Sequence, residues 1–573
     1  MRCLSTIVLP GVLLAQGGDP MRFVPSESEV IVRMRGPAAW QREFGSTGLA
    51  KAIASPALAP HWQNLLSALA HDAQLEAGAA ERLAELPALL GGYDGEVALA
   101  VRIDWDQLDL EAETFAGAVV LAITIDESID GVRLGERVAE LLPPTSGEEI
   151  ALGGTSVALR RAGSWQFAGP IENGGCLLVV GGSDLATQGP KFFEPRDADQ
   201  PALEDQIRRA TFGAQLATGR SFTRLAELAD GKGGEAKWAA LVGGLGLGAV
   251  VNMTWAMYPD GRFVGQSFGI DLDRAAGGLV ADGLPTRGAR PQLLRYVPPG
   301  AATYKVSSFV GRSLQDGYPR LVNFLAERLG TNREGLEQQF TAYTRLRLLE
   351  DVLALIGDEY LLLHDAAAAI AGADEDEPET MSKAEGKFGN SCLVLQVKDG
   401  DAVRKSLDTV IRARGLHVGR KSEEHAGTTI YALTLAGILP IEYAVTDSAF
   451  VIALSSTEAS KRLLRGVLDA AARGGDEPFE FPAPVRERLE GLPENWSGID
   501  VASLAEVVEG LVATIDQVEG ALASADATAT TDPFAALVAL LRALGPELAR
   551  QGASTTVSVD YYTRSRYLAR TRW

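Results

Sequence analysis

RYVPPGAATYKVSSF, residues 295–309, opens the second half of this chain much as RFVPSESEVIVRM, residues 22–34, opens the first. Each reads arginine, aromatic, valine, proline, then alternating apolar residues, then helix-like sequence. Proline fixes φ and donates no backbone hydrogen bond, so it belongs before a strand's first paired residue. Two such openings in one chain predict that it was built twice.

The segments that follow keep the same order. After Val24-Pro25 come a strand, a helical stretch over about 37–53, then APHWQNLLSALAHDA and AAERLAELPALL with leucines at helical spacing. After Val297-Pro298 come YPRLVNFLAERLG and LRLLEDVLALIG. Each helical run ends at glycine before a strand, GEVALAVRI or DEYLLLH, and Glu96 matches Glu359. GAVVLAITI then precedes helical GVRLGERVAELL, and SCLVLQVKD precedes DAVRKSLDTVIRAR. Short strands, a short helix and a closing hairpin complete each series. One mismatch stands out: Val30 and Val32 fall against Tyr304 and Val306, one residue out of step with the prolines.

This order predicts an α+β fold of two tandem related halves, each a mostly antiparallel sheet with helices packed on one face. The boundaries follow: a leader-like segment over 1–18, a first repeat over 22–272, a Gly/Ala/Pro-rich linker over 273–292 and a second repeat over 293–573. A length of 573 residues suits more than one core. The closing hairpins are VVNMTWAMYPDGRFVGQSFGIDL, with a Pro-Asp-Gly turn, and STTVSVDYYTRSRYLARTRW. They set Tyr258 and Arg262 opposite Tyr562 and Arg566.

Composition narrows the function classes. Net charge is −22, so the average surface repels a polyanion and nucleic acid is not the expected partner. MRCLSTIVLPGVLLAQGG has the shape of a secretory leader and is too short to span a bilayer as a helix. Export to the periplasm or cell envelope is expected, with no other membrane span. Cys3 falls in the leader; Cys176 and Cys392 lie in strand-like apolar runs and are expected as buried thiols rather than a bridge.

Three stretches approach catalytic patterns and depart from them. GQSFG, residues 265–269, fits Gly-x-Ser-x-Gly, but Ser267 lies inside a hairpin strand, not on a strand-to-helix turn. GLGLGA, residues 244–249, precedes a strand, whereas a dinucleotide loop must follow one. KSEEH, residues 421–425, has lysine where a zinc peptidase needs its first histidine, and His417 nearby reads as surface. The acidic runs over 371–386 and 104–113 read as solvated connections and ASADATATTDP as a surface loop. No cofactor or metal is expected.

One feature points to binding. With residues 562–572 read as one strand, Tyr562, Arg564, Arg566, Arg570 and Arg572 share a face with Leu568, and Tyr561, Tyr567 and Trp573 take the other. Such a stripe on an acidic protein can grip an acidic partner, the chain's own acidic loops or an anionic lipid; as the wet face of a half-buried sheet it needs no ligand.

The stretch VPSESEVIVRMRGPAAWQREFGSTGLAKAIASPAL, with Ser55-Pro56-Ala57-Leu58 closing it, resembles the opening of a family of exported bacterial proteins of unassigned activity. The resemblance implies location and architecture but no site residues. The expected function is therefore non-catalytic: an exported protein that binds another protein or an envelope component. The alternatives are a carrier of an apolar ligand or lipid, and a hydrolase whose residues follow no familiar pattern.

Overall fold

In the computed structural model, the structure describes residues 14–16, 24, 28–72, 92–105, 117–125, 145–152, 155–162, 165–168, 176–181, 207, 210–219, 221–224, 246–261, 263–276, 279–309, 311, 315, 317–319, 322, 323, 326, 330–364, 391–435, 439–453, 458–473, 479–503, 533–550, 555–563 and 565–573. The fold is α+β, built on a large antiparallel sheet with helices.

Strand β1 is Leu14–Gln16, within the leader-like segment, and lies parallel to β4. The first half supplies β2 (Val30–Arg35), β3 (Glu96–Ile103), β4 (Gly117–Ile125), β5 (Thr145–Leu152), β6 (Thr155–Ala162), β7 (Trp165–Ala168), β8 (Cys176–Gly181), β9 (Phe212–Leu216), β10 (Val250–Asp260) and β11 (Phe263–Leu272). In the second lie β12 (Thr303–Ser308), β13 (Ile356–His364), β14 (Ser391–Val397), β15 (Lys421–His425) and β16 (Thr428–Leu435). These continue into β17 (Leu439–Val445), β18 (Ala449–Ala453), β19 (Gly498–Ser503), β20 (Thr555–Tyr562) and β21 (Arg566–Arg572). The described α-helices are α1 (Pro37–Phe44), α2 (Gly48–Ile53), α3 (Ala59–Asp72), α4 (Leu279–Gly283), α5 (Arg333–Thr344), α6 (Gly400–Ala413), α7 (Glu458–Ala472), α8 (Ala483–Leu489) and α9 (Pro533–Arg550).

Neighbouring strands in the first half run β5-β6-β7-β8-β4-β3-β2-β9-β10-β11. In the second they run β15-β16-β17-β18-β14-β13-β12-β19-β20-β21. The two orders are the same, strand for strand. β11 then pairs antiparallel with β21, so one sheet runs through both halves. Its outer strands are β5 and β15; β15, KSEEH, is almost wholly exposed and charged, which discourages edge-to-edge pairing with other chains.

In the second half helices cover both faces of this sheet, not the single face expected from sequence. The reason lies in β18, Ala-Phe-Val-Ile-Ala, and β14, Ser-Cys-Leu-Val-Leu-Gln-Val, which are apolar on both sides and need cover on both. On one side, Leu464, Val467 and Leu468 of α7 pack with Tyr304, Val306, Leu361, Leu363, Cys392, Val394 and Val451. On the other, Ile411 of α6 meets Tyr443, Val445, Phe450 and Ile452. Asp399 caps α6 by accepting from the Ala402 amide at 3.0 Å, answering one of the first-turn donors. In the first half Phe44 of α1 packs on Met257 and Val264, joined by Trp255, Phe212 and Trp573, the last residue of the chain.

Cys392 is free and fully buried, as its apolar run suggested, and burial raises its thiol pKa. Cys176 lies in β8.

The opening signature has a structural use. In Gln292–Tyr296, a 3₁₀ turn, the Arg295 guanidinium donates to Ser448 Oγ at 2.7 Å. The Tyr296 hydroxyl lies 3.1 Å from Thr446 Oγ1 and 3.0 Å from Ser448 Oγ. Glu359 accepts from the Leu293 amide at 2.8 Å. Arginine and tyrosine thus pin the start of the second half to the turn between β17 and β18, before proline releases the chain into β12. Of the matching first-half signature, only Val24 is described, and it is buried.

The segment expected as a linker, 273–292, is likewise tied down at its described residues. Arg274 donates to the carbonyls of Ala281, Leu284 (3.0 Å) and Pro285 (3.1 Å), closing the turn around α4. Farther on, the Arg290 guanidinium stands 5.5 Å from the ring centres of both Phe481 and Trp496.

One core position carries an avoidable cost. The Tyr304 ring is buried, edge-on to Phe479, but its hydroxyl is enclosed with no hydrogen-bond partner. An unmet buried hydroxyl costs about 1–3 kcal/mol. Tyr304→Phe is therefore expected to raise stability by about 1 kcal/mol in urea unfolding; a loss of stability would show that the hydroxyl has a stabilising role.

Candidate binding site at the joint between the halves

The joint is made by two hairpins. In the first, β10 turns into β11 at Asp260-Gly261, where Gly261 has φ of +62°, the left-handed value a tight turn favours in glycine. The second joins β20 to β21, with Tyr562 paired to Tyr567. Residues 562–572 are thus not one strand: β20 ends at Tyr562, and the chain turns back before β21 begins at Arg566. Alternation restarts after that turn, which moves the tyrosines. Tyr561, paired with Leu568, lies on the face of Arg566, Arg570 and Arg572, and Tyr562 lies on the opposite face with Tyr567. Arg564 lies outside the described residues.

The remaining arginines project from β21 over the first-half hairpin. Arg572 donates through Nε to Asp260 Oδ2 at 2.6 Å and through Nη1 to the carbonyls of Arg488 (3.0 Å) and Glu490. Arg566 reaches Thr254 Oγ1 at 3.1 Å, with Asp271 3.6 Å from its Nε. Two members of the stripe are therefore committed to the chain's own carboxylates, one at each end of the hairpin.

Arg570 is placed between them and differs. It pairs with Ser267 on one side and Val559 on the other. The difference is that no carboxylate among the described residues is paired with it, whereas Arg566 and Arg572 have theirs; its Nε, like the Nε of Arg566, is buried and makes no hydrogen bond. Diagonal to it stand Tyr258, which lies over Gly265, and Tyr561, whose hydroxyl donates to the Pro493 carbonyl at 3.2 Å. Burial raises the Tyr258 phenol above its ordinary value, and Arg570 opposes the rise. Burial likewise pushes Tyr561 up to about 12 against the pull of Arg570 and Arg572. The result is a half-buried cation between two neutral phenols.

GQSFG also has its explanation here. A Cβ at Gly265 would stand 2.5 Å from the Tyr258 ring, and one at Gly269 would stand 2.6 Å from Thr254 Oγ1 and 2.7 Å from Arg566 Nη2. The glycines clear room for cross-strand side chains, and Ser267 between them is buried in β11. His364 and His425 engage Ser391 (3.0 Å) and Asp469 (2.9 Å), not Ser267. KSEEH forms the edge strand β15; of GLGLGA, residues 244 and 245 lie outside the described residues, and Gly246, in the left-handed conformation, opens the short turn before β10.

The other face of the joint is polar in a different way. Tyr567 donates to Asp560 Oδ1 at 2.8 Å, Lys305 lies 3.6 Å from Asp500, and a Cβ at Gly498 would stand 2.4 Å from Asp560 Oδ2. Burial raises the Asp560 pKa, opposed by the Tyr567 hydrogen bond and by Lys305. This network ties β12, β19, β20 and β21 together and leaves its carboxylate answered.

Shallow recesses occur among the described residues. One, of about 290 Å³, is lined by Thr223, Arg224, Val251 and Asp273; another, of about 270 Å³, by Arg295, Tyr296, Thr428, Thr446 and Asp447. No group of three or more histidine, cysteine or acidic side chains able to hold a metal occurs among the described residues. No described helix is long and apolar enough to cross a membrane.

No protein-family model matches the chain, and no curated protein matches it. A solved structure described as crystal form I of TP0453 is similar over 45% of this chain and 79% of its own, at 11% identity and a TM-score of 0.22. A score that low carries no argument about fold or role.

Periodicity alone places Arg566, Arg570 and Arg572 on one face. It cannot tell which of them meets a carboxylate, because Asp260 and Asp271 come from a hairpin some three hundred residues earlier. Tyr561 stands on the face opposite to the one periodicity predicts, because the chain reverses between Tyr562 and Arg566 rather than continuing as one strand.

Proposed function

We propose that this protein is an exported, non-catalytic binding protein whose partner, a protein or an envelope component, presents an acidic group to Arg570. The observation that carries this reading is the contrast within one stripe. Arg566 and Arg572 are answered by Asp271 and Asp260, whereas the guanidinium between them is half-buried and meets no carboxylate among the described residues. A partly desolvated guanidinium offers a strong, directional hydrogen-bonding face to a carboxylate or phosphate. Of the flanking phenols, half-buried Tyr258 adds apolar area without adding charge, while Tyr561 is buried with its hydroxyl donated to Pro493. Export rests on the leader-like residues 1–18.

The reading predicts that Arg570→Glu weakens capture of the partner. Hydrogen bonds to charged groups contribute about 1.5–3 kcal/mol, roughly a tenfold to hundredfold change in affinity. Because Arg570 makes no ion pair among the described residues, the variant should fold with an unchanged melting temperature. Pull-down from an envelope extract, wild type against variant and across a salt series, makes the measurement. Equal capture by both proteins would sink the proposal.

A further inference from the structure

We infer that the two halves meet as a self-complementary pair of equivalent modules, with the local twofold axis passing through the Ser267–Arg570 pair. This rests on strand pairing alone and not on the ligand reading above.

Equivalence can be followed strand by strand. Counting from Val24-Pro25 and Val297-Pro298, Ile31 matches Tyr304. These pair with Ala100 and Leu363, which match when counted from Glu96 and Glu359. The one-residue slip seen in sequence therefore disappears: Ile31 and Arg33, not Val30 and Val32, occupy the positions of Tyr304 and Val306. On the other side Ile31 leads through Gln215 to Thr254, and Tyr304 leads through Val501 to Val557. Thr254 then meets Gly269, and Val557 meets Arg572. Tyr258 thus matches Tyr561, not the Tyr562 expected from sequence, and Ser267 matches Arg570.

Those last two matched residues are also each other's partners across the joint. Gly269 pairs with Leu568 and Gly265 with Arg572, each residue facing the match of the other. Reciprocal contact of this kind is the mark of an isologous interface, the arrangement of a twofold dimer. Equivalent tyrosines, Tyr258 and Tyr561, flank the axis on either side. Beyond the sheet, α9 of the second half packs on α2 and α3 of the first, and Trp573 joins the Phe44 cluster.

The axis explains why the matched residues differ. On a true twofold, arginine here would face arginine across adjacent strands, and like charges directly opposite repel. Serine in one copy removes that repulsion and leaves one guanidinium on the axis. The surface that β11 offers is thus fitted to a second copy of its own module, supplied by the same chain.

The test cuts the intact protein. A protease site inserted between Thr286 and Arg287, both exposed, allows the linker to be cleaved after folding. The cut protein should elute as one particle at micromolar concentration; separation into two pieces overturns the inference. In the cut protein, Ser267→Arg should weaken association at least tenfold, while Ser267→Thr should leave it unchanged. The swap Ser267→Arg with Arg570→Ser should restore it, since the two positions are related by the axis. A swap that stays as weak as Ser267→Arg alone, or no loss with Ser267→Arg, places the axis elsewhere and refutes the proposal.

Discussion

Truncation of Leu464 to alanine is expected to lower the unfolding free energy by about 2–5 kcal/mol, the range for buried leucines. Leu464 has no measurable exposure and stands in the largest described core, where α7 meets the centre of the second-half sheet. Its neighbours on the helix, Val467 and Leu468, fall three and four residues on and face the same core. The helix is set against β14, β18 and the 292–296 turn, so the void left by truncation cannot close by moving one loop. A fall in urea midpoint with an unchanged slope is the expected result. A loss below about 0.5 kcal/mol, the level of an ordinary surface change, would mean that α7 is not docked as described.

Alkali should unfold the protein through its buried tyrosines. Burial pushes the phenols of Tyr443 and Tyr561 up to about 12, and raises those of Tyr304, Tyr562 and Tyr567 still further. In the unfolded chain these groups lose their protons near pH 10, while the folded chain still holds them. Between those values the unfolded state binds fewer protons, so stability falls as pH rises. Below pH 10 the stability is complete; for Tyr443 and Tyr561 it is lost between about pH 10 and 12. A rise of that size would be worth about 2–3 kcal/mol for a phenol sealed from water, and about 1–2 kcal/mol for each of these two once solvent screening is allowed for. Absorbance of tyrosinate in the near ultraviolet should therefore rise in a cooperative step that coincides with loss of circular dichroism. A gradual titration with the fold retained would show that these phenols reach solvent. Tyr443→Phe should move the step to higher pH, provided that its ring packing on Phe450 and Tyr431 is preserved.

Much of the local structure is legible without coordinates, for reasons that act over a few residues. Pro-Asp-Gly marks the β10–β11 turn because glycine tolerates the backbone angle needed there. The segment 401–414 reads as a helix because its apolar residues recur at helical spacing, and Asp399 supplies the cap. The strand reading of Ser267 and of Cys392 follows from apolar alternation and holds in β11 and β14. Even the order of segments in the two halves is visible, because each segment carries its own apolar period.

Where periodicity is extended across a turn it fails. Tyr561 and Tyr562 exchange faces because side chains alternate strictly, so one miscounted turn moves every following residue to the other side. The single-faced helix layer fails for a related reason: a strand apolar on both sides demands cover on both, and α6 and α7 provide it.

What the sequence by itself determined is the set of elements and their order: the strand openings set by Val-Pro, the helix periods and the position of the hairpin turn. Tertiary structure alone decided that β11 finds β21, that Asp260 and Asp271 neutralise Arg572 and Arg566, and that Arg570 meets no carboxylate among the described residues. Turns and periods arise from contacts between near neighbours and are written in adjacent residues. Pairing across about three hundred residues depends on which edges remain open once each half has formed, and no local pattern records that.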